Sequence, residues 1–223
     1  KRQKKVRDNR IVIVYVIDFL ASQEGLTGGT ERQLIEMANH LDQSRFRPIV
    51  CCLQEFAATP YWDAISCERH LLHVYSLASL GGISAFFSFV RFLRENTVDI
   101  VQTYFHDSIL FGILAARLAG TRTAISCRRD MGFWYNGQLL RNMSFVNRFT
   151  DRILVNCNAV KNEVVAREGV ALDNIDVIHN GIDLATFDRD PAVNLHDEFQ
   201  NIKRNDRVIG MVANFNREVK RAD

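Results

Sequence analysis

The stretch at residues 10–41, RIVIVYVIDFLASQEGLTGGTERQLIEMANHL, constrains the fold more than any other part of the chain. Its apolar run at 11–17 is too short and too rich in β-branched residues for a helix. It also lacks the alternation of a half-buried strand, so it suits a strand covered on both faces of a parallel sheet. A polar loop (18–27) follows. Gly28-Gly29-Thr30-Glu31 then opens a helix in which Leu34, Ile35, Ala38 and Leu41 recur at helical spacing. Strand, loop and helix in this order make the first unit of a doubly wound α/β domain. Ligands of such domains bind beyond the carboxyl ends of the strands, where the glycine pair sits.

The same alternation continues down the chain. Strands are expected at 46–53, 70–75, 99–103, 123–126, 152–156 and 175–178, and helices at 59–67, 84–95, 108–119, 139–150 and 159–168. Gly81-Gly82 reads as a break and Gly120 as a helix cap. This pattern predicts a parallel sheet with helices on both faces and right-handed connections. The Phe-rich helix SAFFSFVRFLRE has two readings: an amphipathic surface lying on a membrane, or a face packed on the sheet. Residues 188–206 are polar and contain Pro191, as a linker would. RVIGMVA at 207–213 then starts a fresh apolar strand. The expected organisation is a basic tail (1–9), a domain at 10–187, a linker at 188–206 and the start of a truncated second domain at 207–223. An unpaired strand at 207–213 predicts self-association.

At 223 residues, with 47% hydrophobic composition, the chain has material for a large core. Its net charge of +2 points to neither nucleic acid nor an acidic partner. KRQKKVR at the start reads as a solvated tail or a contact for an anionic surface. Five cysteines are an odd number without metal spacing. Cys51 and Cys52 are adjacent on an expected strand and so point to opposite faces, and all five read as reduced thiols in a cytosolic protein. No signal peptide is recognised, and no apolar run reaches the roughly 18 residues of a membrane span.

The expected strand ends gather chemistry. The first gives Gly28 and Gly29, the fourth His106 and Asp107, the fifth Arg128, Arg129 and Asp130. Glycines let backbone N–H groups approach phosphate oxygens, the helix start adds a favourable dipole, and arginine supplies a planar fork. Histidine beside an acid can hold a proton or grip a sugar hydroxyl. Together these groups suit a substrate bearing phosphate or pyrophosphate. The glycines do not fit G-x-G-x-x-G, so a nicotinamide site using Glu55 is a minor alternative. No nucleophilic triad or metal-spaced His/Cys cluster stands out.

Four motifs, taken in order, resemble the family-4 glycosyltransferases of GT-B fold. Gly28-Gly29-Thr30-Glu31-Arg32 is similar to the family's GG-x-E-R opening, and residues 99–107, DIVQTYFHD, to its D-V-V-H-x-H strand end. Residues 177–187, VIHNGIDLATF, resemble V-I-P-N-G-V-D-x-x-x-F, and residues 209–220 resemble the I-G-x-V-G-R-L-x-x-x-K-G that opens the second domain.

The resemblance implies two Rossmann-like domains facing across a cleft, the amino-terminal one for acceptor and the other for a nucleotide-diphosphate sugar. The reaction is sugar transfer to a hydroxyl of a saccharide or lipid-linked acceptor, with retention and without a metal or cofactor. It places His106 against the donor sugar, Gly28 and Gly29 on the donor diphosphate, and Lys220 at the leaving diphosphate. The family's Arg in that loop is Asn214 here, which shifts phosphate binding to Arg217. The first His of H-x-H is absent, and His179 replaces the Pro before Asn-Gly. Arg128, Arg129, Asp130, Phe133, Trp134 and Tyr135 are expected on the acceptor side, the aromatics stacking on sugar rings or folding under as a loop core. A cytoplasmic enzyme of bacterial envelope or exopolysaccharide synthesis, in peripheral contact with the inner membrane face, is the implied setting. The fragment alone is expected to be inactive. A sugar-nucleotide epimerase and a non-catalytic binding domain are the alternatives.

Overall fold

The computed structural model describes residues 9–21, 28–55, 60–133, 135–182, 184, 207 and 209. The chain divides into two compact units, 1–181 and 182–223. The first carries all the elements below. The strand expected at 207–213 lies outside the described residues except for Arg207 and Ile209, and so does most of the linker.

Seven parallel strands form one sheet in the order β3-β2-β1-β4-β5-β6-β7. They are β1 (Ile11–Ile17), β2 (Phe46–Cys52), β3 (Glu68–Leu71), β4 (Ile100–Thr103), β5 (Thr123–Arg128), β6 (Arg152–Val155) and β7 (Ile175–Val177). Six helices connect or follow them: α1 (Gly29–His40), α2 (Pro60–Asp63), α3 (Leu80–Glu95), α4 (His106–Ala119), α5 (Gly137–Asn147) and α6 (Asn158–Glu168). This is the doubly wound, Rossmann-like arrangement that the alternation predicts. The order turns between β1 and β4, where connections run outward in both directions.

Strand alternation builds the two layers. Val12, Val14 and Val16 join Cys51, Phe89, Val90, Leu93, Ile109, Ile113, Met143 and Val146 on the α3–α5 side. Ile13, Tyr15 and Ile17 join Cys52, Leu34, Ile35 and Ala38 on the α1 side. A smaller cluster joins α6 to β6 and β7 through Val160, Val164, Ile153 and Ile175. Cys51 and Cys52 thus face opposite layers, both as free thiols, and burial pushes each well above its usual pKa, Cys52 to about 12.

Some boundaries differ from the sequence reading, each for a local reason. Gly81-Gly82 does not break the chain but lies in the first turn of α3. Ser79 caps this helix by accepting from the Gly82 N–H at 3.0 Å, and a side chain at Gly82 would run into the Ser76 carbonyl. Strand β3 starts and ends earlier than expected, since His73 takes a left-handed φ of 55° just beyond it. Helix α2 is a single turn started by Pro60. At the amino edge, Asp99 accepts from the Val12 N–H (2.9 Å) and Asp151 from the Ala124 N–H (2.7 Å). These carboxylates satisfy donors on neighbouring strands.

Candidate active site

All seven strands are parallel, so β1, β4, β5 and β6 end on one edge, as neighbours. That edge collects the groups expected to carry chemistry. Gly28 caps α1 without a side chain. A Cβ there would come within 2.8 Å of the Glu31 carboxylate, which folds back over the helix start; one at Gly29 would meet nothing within 4 Å. Gly28 therefore serves its own helix turn, and Gly29 leaves open space over the first N–H groups of α1.

His106 opens α4 two residues earlier than expected. Its side chain is 12% exposed, its Nδ1 lies 2.8 Å from Asp107 Oδ1, and its Nε2 is buried with no hydrogen-bond partner. In the neutral ring, Nδ1–H donates to Asp107 and Nε2 presents a lone pair. Asp18, at the end of β1, accepts from the Ser108 N–H at 2.6 Å, which ties the two helix-bearing strand ends together. Burial is the main cause that lifts the Asp18 carboxyl to about 6, against the bonds from Ser108 that lower it.

The two arginines after β5 diverge. Strand β5 runs to Arg128, two residues past the expected end, so alternation turns Arg128 into the helix layer and Arg129 out of it. Arg128 is 4% exposed and holds Glu168 through Nε (2.9 Å) and Nη2 (2.8 Å), with Asn147 and Ser126 completing its bonds. Burial raises the Glu168 carboxyl, but Arg128 outweighs it and holds the group below its ordinary range. The expectation that Arg128 meets an acceptor is therefore corrected: its guanidinium is consumed by a buried pair.

Arg129 stays on the edge. Its guanidinium sits 5.5 Å over the Tyr104 ring, Nη1 donates to Asn180 Oδ1 at 2.8 Å, and Nε is buried without a partner. Asp130 is exposed and accepts from the Gly132 N–H at 2.7 Å, closing a turn. Phe133 is 68% exposed, so it does not fold under as a loop core. Tyr135 does: it packs against the α3–α5 core beneath Gly132, and burial pushes its hydroxyl up to about 12. Gly132 needs its left-handed φ of 61° and has no room for a Cβ above that ring. Arg167 bolts this loop by donating to the Met131 and Gly132 carbonyls. Trp134, Arg217 and Lys220 lie outside the described residues.

Three groups take roles that the sequence motifs did not assign. Asn156, after β6, donates to the Arg129 carbonyl (3.0 Å) and keeps a buried, unpartnered Oδ1. Asp18 is the second. The third is a strap after β7 that runs back along the edge. His179 Nδ1 lies 3.0 Å from the Asn156 carbonyl, Asn180 takes the Arg129 bond, and Gly181 exchanges two bonds with Gln33 of α1 (2.6 and 3.0 Å). Each strap residue is held by a different element. An acid at the end of the first strand and an asparagine at the end of the sixth were the available signals.

Among the described residues, the buried side-chain atoms without a partner are His106 Nε2, Arg129 Nε and Asn156 Oδ1. They come from the ends of three consecutive strands. Leaving such atoms unpaired costs about 1–3 kcal/mol each. Among the described residues no group of three or more His, Cys, Asp or Glu is placed to hold a metal ion, and no helix is long and apolar enough to cross a membrane.

Known proteins share this architecture. HepE of Anabaena, in complex with UDP and glucose, superposes with a TM-score of 0.64 at 20% identity, over 85% of this chain and 50% of its own. UDP-GlcNAc 2-epimerase from Neisseria meningitidis, bound to UDP-GlcNAc, gives 0.54 at 14% identity, over 76% of this chain and 47% of its own. A curated Escherichia coli relative is the UDP-Gal:alpha-D-GlcNAc-diphosphoundecaprenol alpha-1,3-galactosyltransferase. It is 24% identical over 201 residues, which are 84% of this chain and 51% of the relative, so the chain spans about half that length. The model of Glycosyltransferase Family 4 matches residues 27–186, well over half of the sequence. The chain belongs to Glycosyltransferase Family 4.

Proposed function

We propose that this chain supplies the acceptor-side lobe of a retaining glycosyltransferase that moves a sugar from a nucleotide-diphosphate donor to a hydroxyl of a saccharide or lipid-linked acceptor. The observation that carries this reading is the row of three unpartnered buried atoms, on His106, Arg129 and Asn156. A hydrogen-bonding acceptor, a cation and an amide at the ends of three neighbouring strands suit a polyhydroxylated ring with a phosphate attached.

In this reading, His106 Nε2 accepts from a hydroxyl of the donor sugar and orients it. Gly28 and Gly29 bring the N–H groups of α1 to the diphosphate; Arg217 and Lys220, expected to neutralise it, lie outside the described residues. The diphosphate is already a good leaving group, so positioning and charge stabilisation do most of the work, without a metal. Arg129, Asp130 and Phe133 line the acceptor side, with Phe133 available to stack. The names of the relatives support a UDP-linked donor and, in one case, an acceptor carried on a lipid diphosphate.

The same reading sets the enzyme in the cytoplasm, in bacterial envelope or exopolysaccharide synthesis, touching the inner membrane face. Leu80, Ile83 and Phe87 on α3 support the membrane contact, because they are exposed while Phe89 is buried and Phe86 and Phe92 pack against the core. Residues 1–223 alone are expected to lack transfer activity, and the 207–213 segment to pair copies of the chain. The test is transfer of radiolabelled hexose from UDP-hexoses by the two-lobed enzyme. His106→Ala is expected to lower kcat about 10²–10³-fold, the scale of losing one aligned polar contact to the reacting centre. Epimerised UDP-sugar formed without any acceptor would replace this reading with the epimerase one. Ligand binding unchanged in His106→Ala, with no transfer by the unsubstituted protein, would favour a non-catalytic binder.

A further inference from the structure

Helix α4 begins in an unusual way. Its N-cap position is Phe105, which offers no capping oxygen and takes φ 64°, ψ 170°, a left-handed φ that a bulky side chain rarely adopts. Two consecutive residues at the end of β1 hold this start in place. The Asp18 carboxylate accepts from the Ser108 N–H at 2.6 Å, doing from another strand what a capping side chain ordinarily does. The Phe19 ring stacks on Phe105 with centroids 5.5 Å apart. His106 lies between the two points of attachment, as the first residue of the helix.

We infer that Asp18 is a positioning residue for His106: by capping α4 from the neighbouring strand, it fixes the turn that aims Nε2 at the edge and keeps Nδ1 on Asp107. The inference rests on the reading of His106 as the group that faces the sugar. Three further features agree with it. The strained φ at Phe105 persists only if its surroundings over-determine it, and the Phe19 stack together with the Asp18 cap does so. The Nδ1–Asp107 contact is intrahelical, so it cannot by itself set the helix's place on the sheet edge. The Asp18 carboxyl is held out of water, and its bonds from Ser108 offset part of the cost of that burial. Titratable groups facing Asp18 among the described residues are Asp107 of α4, which raises it, and the Cys52 thiol of β2, beside its carbonyl.

The test uses residues 1–223 and needs neither donor nor acceptor, so its failure and a failure of sugar transfer are separate results. Ring ¹⁵N shifts of His106, assigned with His106→Gln, report the tautomer; amide exchange reports the Ser108 N–H. In the unsubstituted chain, one tautomer with the proton on Nδ1 is expected. Asp18→Ala is expected to speed Ser108 exchange at least tenfold and to give mixed tautomers at His106. Asp18→Asn keeps an oxygen acceptor and is expected to retain the single tautomer, with Ser108 exchange within about threefold. Should Asp18→Ala fail to fold, Phe19→Leu against Asp18→Asn decides: the former is expected to mix the tautomers and the latter to preserve them. A wild-type tautomer and wild-type Ser108 exchange in folded Asp18→Ala, or in Phe19→Leu where that variant decides, would overturn the inference. Equal disturbance by Asp18→Asn would also overturn it, because charge rather than capping would then be the cause.

Discussion

Buried ionisable residues near this edge set part of the chain's stability. Asp18 shows this in its titration. Its pKa is raised from the usual 3.8 to about 6, so the folded chain binds this proton more tightly than the unfolded chain. The contribution is most favourable below about pH 4 and is lost as pH rises through about 6, a difference on the order of 2–3 kcal/mol. Asp18→Asn removes that slope. Urea melts at pH 4.5 and 7.5 should show the variant gaining stability chiefly at the higher pH; an equal change at both would contradict the assignment. Arg128 and Glu168 show the opposite economy, since both are nearly dry and joined by two bonds. Arg128→Met leaves Glu168 charged with only the Asn147 amide bonded to it, and should destabilise by about 3–5 kcal/mol in denaturant titration. Replacing both partners with apolar residues of similar size should cost much less.

This pair also shows where sequence reasoning stops. Arg128 and Arg129 are adjacent and chemically identical, and only the true end of β5 tells which one turns inward. With the strand ended at 126, both look like edge residues; with it ended at 128, alternation separates them. His106 was legible as a strand-end histidine, but its place inside the helix was not. That depends on Phe105 adopting a backbone angle that no propensity favours. Asp18 gives no such sign, because its partner, Ser108, lies 90 residues away.

At the scale of elements, the apolar rhythm of β1 and α1 was enough to place both, since burial on two faces and on one stripe leaves few alternatives. Helix α3 was harder, because its aromatic residues serve two purposes. Phe89 is buried and Phe86 and Phe92 are partly buried against the core, while Leu80, Ile83 and Phe87 stand 88%, 47% and 58% exposed, with Arg91 and Arg94 further along the helix. These exposed apolar residues, with Arg91 and Arg94 also exposed on α3, suit the proposed contact with an anionic lipid surface. Flotation with vesicles containing phosphatidylglycerol should carry the chain upward, and Leu80→Glu with Phe87→Glu should reduce binding at least tenfold. Equal flotation of the double variant would exclude this face. Helix α5 depends on Asn136, whose side chain accepts from the Gln138 and Leu139 N–H groups. Asn136→Ala should lower stability by about 1 kcal/mol.

For the whole molecule, a parallel sheet whose order turns between β1 and β4 leaves one edge where helix starts, loops and the strap all meet. The strap has a consequence in mechanics. His179, Asn180 and Gly181 are fastened to Asn156, Arg129 and Gln33 in single file. A pull on the trailing end therefore loads one attachment at a time, Gly181 first, like a seam opening stitch by stitch. Strand β7 feels no tension until the last stitch parts. Removing the Gln33 carboxamide would lower the first rupture force in an optical trap while leaving the later ones as they are.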